Sequence, residues 1–209
     1  VSNARERILQ RVRDALGERR GAIVPPSASR RPAPADLLAN FRERLTAVAG
    51  EILDHDATQP LVDTIASRLR QAGARTVAFG GGAAMRQLAA ELTQRGFTVL
   101  AADAATEAIA QADAGVTEAQ WGIAETGTIV LDDEAARGRR ASLLPPLHLA
   151  VLDRQRILPT LDDAIDRAAA AARLPHALTF VTGPSRTADI ELQLVVGVHG
   201  PQELVVVLR

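Results

Sequence analysis

The 209-residue chain contains no cysteine, no tyrosine and no lysine. Without cysteine it can form no disulfide, offer no thiolate nucleophile and ligate no iron–sulfur cluster through sulfur. Without lysine there is no Schiff base, no phosphate-loop lysine and no catalytic ammonium. Any acid, base or nucleophile must therefore be Asp, Glu, His, Ser or Thr, and any anion clamp must be Arg or backbone N–H. All 24 basic residues are Arg, they balance 25 acidic ones, and the net charge is −1. That balance leaves no electrostatic footprint for nucleic acid. Aromatics make up only 2% of the chain, four Phe and one Trp, too few for base-stacking platforms. No apolar run approaches the roughly 18 residues of a membrane span, and "VSNARERILQ" has no signal-peptide core. The expectation is a soluble cytoplasmic protein without a membrane span.

What remains is enough for a sizeable core. Hydrophobic residues are 47% of the chain, and with so few aromatics that core must be built from Ala, Leu, Val and Ile. Residues 3–16 carry an apolar stripe of Ile8, Val12, Ala15 and Leu16 at helical spacing, edged by arginines. Pro25, Pro26, Pro32 and Pro34 mark a linker or extended arm. Leu38, Phe41, Leu45 and Val48 read as a second helix. From about residue 52 strand and helix patterns alternate. Leu61, Ile65 and Leu69 give a helix ending at Gly73. "RTVAFGGG" reads as a buried strand running into a glycine turn. Met85, Leu88 and Leu92 give the next helix, "FTVLA" the next strand, and 104–112 a short helix. Further on, "QWGIAETGTIVLDD" reads as two short strands, with strands at "HLAVLD", "ALTFVTG" and "ELVVVL". A helix at 160–173 has Thr160 and Asp163 as a capping pair. The expected fold is α/β, a mainly parallel sheet with helices on both faces, plus an N-terminal helical extension. The expected division is residues 1–51 as helical arm and proline-rich linker, and residues 52–209 as the α/β domain.

Three constellations could carry chemistry. Gly80–Gly81–Gly82 follows a strand and precedes a helix, so the backbone can approach a ligand and the helix can offer free N–H groups to an anion. It is not the dinucleotide pattern G-x-G-x-x-G. Asp103 comes near the spacing of a ribose-binding acid but follows its strand loosely. The second is "AETGT", where Glu125 stands beside Thr126, Gly127 and Thr128 at a strand end, a carboxylate able to act as base or nucleophile. The alternative is a hairpin corner with Glu125 solvated. Downstream, Asp132, Asp133 and Glu134, with His148 at a distance, have no recognisable metal-ligand spacing, so no metal site is assigned. The third is "GPSRTADIELQLVVGVHGP", residues 183–201. Ser185, Arg186, Thr187 and Asp189 could hold a carboxylate or phosphate at a strand's carboxyl end. Ile190, Leu192, Leu194, Val196 and Val198 alternate as a strand would, yet Thr187 or Asp189 could cap a short helix. Glu191 and His199 complete the polar set.

"GIAETGTIVL", "GRRASLLPPLH" and "FVTGPSRTADIELQLVVGVHGP" together resemble the LUD domain, specifically the lactate-utilisation protein C family, over about residues 115–209. The resemblance implies a fold similar to the ribose-phosphate isomerase and CoA-transferase group. It also implies a role with two iron–sulfur proteins in oxidising L-lactate to pyruvate, this chain being the cluster-free member. Its cofactor is unknown, and no recognisable flavin motif is present. In class I CoA-transferases of that fold group a glutamate in a Glu-Asn-Gly turn is the nucleophile. Glu125–Thr126–Gly127 is similar in placement but has Thr126 for the Asn. The lysine that ribose-phosphate isomerases of this fold use has no counterpart here.

The expected partners are thus iron–sulfur proteins and a small carboxylate or phosphate ligand, with no nucleic acid. The expected site is an anion pocket where Gly80–Gly82, Glu125–Thr128 and Ser185–Asp189 converge. The alternatives are an acyl- or CoA-transferase-like enzyme using Glu125, or a small-anion-binding module.

Overall fold

The computed structural model describes residues 4–16, 33–132, 139–171, 177–188, 194–196 and 200–209. Residues 1–32 form one compact unit and residues 33–209 another. In the first, the arginine-edged stripe forms a helix as its spacing predicts, α1 (Ala4–Leu16), with Gln10 Nε2 donating to Asp14 Oδ1 one turn on, at 2.8 Å.

The second unit opens with α2 (Leu37–Ala47), whose Asp36 cap accepts from the Ala39 N–H, and β1 (Glu51–Asp54). Then follow α3 (Leu61–Gln71), β2 (Thr76–Phe79), α4 (Ala83–Gln94), β3 (Thr98–Leu100) and α5 (Thr106–Ala110). Next come β4 (Ala114–Glu118), β5 (Trp121–Ile123), β6 (Thr128–Asp132), α6 (Arg139–Leu143) and β7 (Leu147–Leu152). A 3-10 turn at Arg154–Arg156 leads to β8 (Ile157–Leu158) and α7 (Leu161–Ala169). The chain finishes with β9 (Leu178–Val181), β10 (Arg186–Ala188), β11 (Leu194–Val196) and β12 (Glu203–Leu208).

Six strands form the main sheet in the order β1-β12-β7-β4-β2-β3, every neighbouring pair parallel. Its central strands are covered on both faces, which is why "LVVVL" is an unbroken apolar run and "LHLAVL" is apolar but for His148. One face packs against α3 and α4 through Val62, Ile65, Leu69, Met85, Leu88 and Leu92. The other carries α2 at one end, through Phe41 and Leu45, and α5 and α6 at the opposite end, through Ile109 and Ala141. The α/β class, the dominant parallel sheet and helices on both faces are as the sequence pattern implies.

A second sheet, in the order β8-β5-β6-β9, shares the α2 face, and Ile129 and Leu131 of β6 join that core. Its β6 pairs antiparallel with both β5 and β9. Strand β9 therefore lies outside the parallel sheet. The turn after it is not at a parallel strand's carboxyl edge, where the alternating rhythm of the sequence had placed it. A two-residue strand such as β8 has too little pattern to read, and pairing partners leave no local mark.

Residues 37–47, read from sequence with the N-terminal arm, belong to this core: Phe41 and Leu45 are fully buried. Strands β1 and β4 also escape the sequence pattern. The first is four residues long, and the second carries Gly115 and Thr117 on one face. Gly115 is required there. A Cβ at that position would stand 1.6 Å from the carbonyl oxygen of Ala141, because the backbone of α6 lies directly on the sheet. Among the described residues no helix is long and apolar enough to cross a membrane.

Candidate functional site

The strand "TVAF" runs its buried residues to the carboxyl edge of the sheet and there meets three glycines. Gly80 donates to the carbonyl of Val116 at 3.0 Å, which ties the turn to β4. Gly81 has φ +125°, open to glycine alone. Gly82 caps α4 with no side chain, so no side chain competes for the first-turn N–H groups. The turn opens into a cleft of about 1080 Å³. Phe79 and Met85 form part of its wall, and Arg86, Arg139, Arg140 and Asp103 its polar lining. Arg140 donates to the carbonyls of Ala102 and Ala104 and to the Thr106 hydroxyl. Those acceptors are neutral oxygens, so its charge stays available at the cleft.

Glu125 to Thr128 form the hairpin between β5 and β6, the corner the sequence suggested. The Glu125 N–H donates to the Pro159 carbonyl at 3.1 Å, and the Ala124 carbonyl accepts from Asn40 Nδ2 at 2.7 Å. Glu125 is half-buried. Gly127 lies against the backbone of Arg44 and Leu45 in α2, where a Cβ would approach Leu45 N to 2.2 Å. The hydroxyls of Thr126 and Thr128 are 2.7 Å apart, and Thr128 is 2.7 Å from the hydroxyl of Thr182 at the end of β9. A chain of three hydroxyls thus stands beside the Glu125 corner.

The third constellation continues from Thr182. Gly183 rests on the carbonyl of Val48, the residue that ends α2. The Ser185 N–H donates to Pro201 at 2.8 Å, just before β12 begins. Arg186 is exposed. Residues 186–188 pair antiparallel with 194–196, so the alternating reading holds where it is described, and Thr187 faces Val195 in register. Asp189, Glu191 and His199 lie outside the described residues.

The three segments do not converge. Glu125–Thr128 and Thr182–Ser185 adjoin at the α2 side of the second sheet. Ser185 is tied to the amino end of β12, whereas Gly80 leaves the carboxyl end of β2. All intervening strands are parallel, so the two lie at opposite edges of the sheet, at least a strand's length of about 15 Å apart. The glycine turn between strand and helix was legible in the sequence; the separation of the three segments follows from the sheet order.

One polar side chain was weighed in the sequence only as a distant partner for the acidic run, with no role assigned. His148, on β7, is fully buried. Its Nε2 is 2.8 Å from the Thr117 hydroxyl on β4, and its Nδ1 has no partner. Burial lowers its pKa to about 4, so the ring is neutral. At the carboxyl end of β1, Asp54 joins Arg42 and Arg154. The hydrogen bond from Arg42 holds its carboxyl below the usual carboxylate range.

A parallel six-stranded sheet with a smaller sheet on one face and a glycine-lined cleft at its carboxyl edge defines an open, two-sided α/β protein. The chain matches the LUD domain over residues 38–208 and belongs to that family. It is 43% identical over 95 residues to a lactate utilization protein C of Halalkalibacterium halodurans, covering 44% of this chain and 41% of that protein. It is 44% identical over 99 residues to a lactate utilization protein C of Deinococcus radiodurans, covering 47% of each. The matches thus span less than half the length of these curated relatives. The crystal structure of a DUF162 family protein from Deinococcus radiodurans superposes with a TM-score of 0.65 at 28% identity, over 85% of this chain and 99% of that one.

Proposed function

We propose that this chain serves in lactate utilisation, supporting the oxidation of L-lactate to pyruvate together with iron–sulfur partner proteins. The observation that carries the reading is the identity of 43–44% with proteins named for lactate utilisation. The division of labour is the one the family resemblance implies, and the composition agrees with it. Oxidising lactate removes two electrons and two protons, and this chain has no cysteine to ligate a cluster that would accept them. The electrons pass to clusters on partners, while this chain contributes binding groups. The anion site we assign to it is the cleft at Gly80, Gly81 and Gly82, with Arg86 and Arg140 facing a carboxylate or phosphate. Ser185 and Arg186, at the opposite edge, take no part in that cleft.

The test is reconstitution. Lactate-dependent dye reduction by the iron–sulfur partners is expected only when this chain is added. Equal rates without it would overturn the role.

A second reading has its own support in the hydroxyl chain of Thr126, Thr128 and Thr182 beside Glu125. Here Glu125 attacks the carbonyl of an acyl-CoA, expels the CoA thiolate and carries the acyl group as an anhydride, its charge aided by neighbouring O–H donors. Hydroxylamine trapping followed by mass spectrometry should then mark Glu125. An unmarked Glu125 across a panel of acyl-CoAs rejects this reading.

A further inference from the structure

We infer that the cleft at the carboxyl edge takes a nucleotide bearing a diphosphate and a free ribose diol, rather than a three-carbon acid alone. This rests on reading the cleft as an anion site, and not on the lactate role. The first argument is topological. From β2 the chain crosses by α4 on one face to β3, then returns by α5 on the other face to β4, on the far side of β2. Connections leaving on opposite faces open a crevice beyond the carboxyl ends of adjacent strands, where open α/β sheets bind ligands. Gly80 and Gly81 line the cleft at that point, and Gly80 is bonded across to β4.

The second argument is chemical. The unit β2, glycine turn, α4, β3 ends at Asp103, and this carboxylate lines the same cleft as the glycines. In nucleotide-binding units of this connectivity the glycine turn receives phosphate. An acid about 20 residues further on, beyond the next strand, accepts the ribose hydroxyls. The looseness of Asp103 in the sequence is removed by Arg140, which grips the carbonyls of Ala102 and Ala104 on either side of it. Arg86 and Arg140 supply positive charge for phosphate. Met85 stands where the dinucleotide pattern has its third glycine and is buried, so the close helix–strand approach of that pattern is absent. Phe79, Met85 and Val99 offer an apolar wall for a base.

The third argument is size. A cleft of about 1080 Å³ lies just above the usual range of organic-ligand sites, about 300 to about 1,000 Å³, and far exceeds what lactate fills.

Isothermal titration of the full chain with ADP, its dideoxyribose analogue and inorganic pyrophosphate decides the matter. ADP is expected to bind about tenfold or more tighter than the other two. Asp103→Asn should weaken ADP about tenfold and leave pyrophosphate binding no weaker, because it removes a ribose acceptor and a negative charge from the cleft. Arg86→Ala should weaken both. Pyrophosphate binding as tight as ADP, or indifference to Asp103→Asn, overturns the nucleotide and leaves the anion site standing. Failure of both probes to bind overturns the anion site as well. None of these outcomes bears on lactate-dependent dye reduction, which reports the proposed role separately.

Discussion

The hydroxyl of Thr117 and Nε2 of His148 lie 2.8 Å apart on neighbouring parallel strands, with both side chains fully buried. Burial sets the imidazole pKa at about 4, against 6.5 unperturbed. Because the folded value is the lower one, the unfolded chain binds the extra proton first. Stability from this group is complete above pH 6.5, falls as pH drops towards 4, and levels off below. The loss amounts to about 3 kcal/mol across that window. Urea denaturation as a function of pH should show the slope, and His148→Gln should remove it. An unchanged slope in that variant would place the titration elsewhere.

Gly115→Ala should be among the most damaging single changes in the chain. Its Cβ would fall 1.6 Å from the Ala141 carbonyl oxygen, and backbone cannot rotate aside as a side chain can. Separating α6 from the sheet to relieve that overlap would cost at least the ~1–3 kcal/mol of ordinary overpacking. Denaturation midpoints of the variant and parent give the measurement.

Helix α2 is expected to be indispensable and residues 1–32 dispensable for folding. Phe41→Ala should cost about 3–5 kcal/mol, since it empties a fully buried aromatic site between α2 and the sheets. A chain beginning at Ala33 should unfold cooperatively at the parent's urea midpoint. A chain beginning at residue 52 lacks Phe41 and Leu45 and should show no cooperative transition.

Thr160→Ala should cost about 1 kcal/mol. The Thr160 hydroxyl accepts from the Asp163 N–H, and the Asp163 carboxylate accepts from the Thr160 N–H at 3.1 Å. Thermal unfolding reads the loss, and Thr160→Ser should restore most of it.

That capping box was legible as a Thr followed three residues later by Asp, because both partners sit on one turn. So were α3 and α4, whose apolar residues recur at the helical period, and β7 and β12, whose apolar runs mark strands covered on two faces. The glycine turn after β2 was legible for the same local reason. Glu125 at a hairpin corner was legible too, though its neighbour Thr182 was not, since it arrives from a strand far along the chain.

The sequence alone determined which chemistry is available and where the local turns and helices fall, because composition and short-range periodicity are properties of neighbouring residues. Tertiary structure alone decided the rest. Strand order sent Ser185 to one edge of the sheet and Gly80 to the other. It laid β9 in a second sheet, buried His148 on the face of the sheet that α6 covers, and brought Asp103 into the cleft of the glycines. Each depends on which strands pair, and pairing is fixed by burial summed over the whole core, not by any one segment.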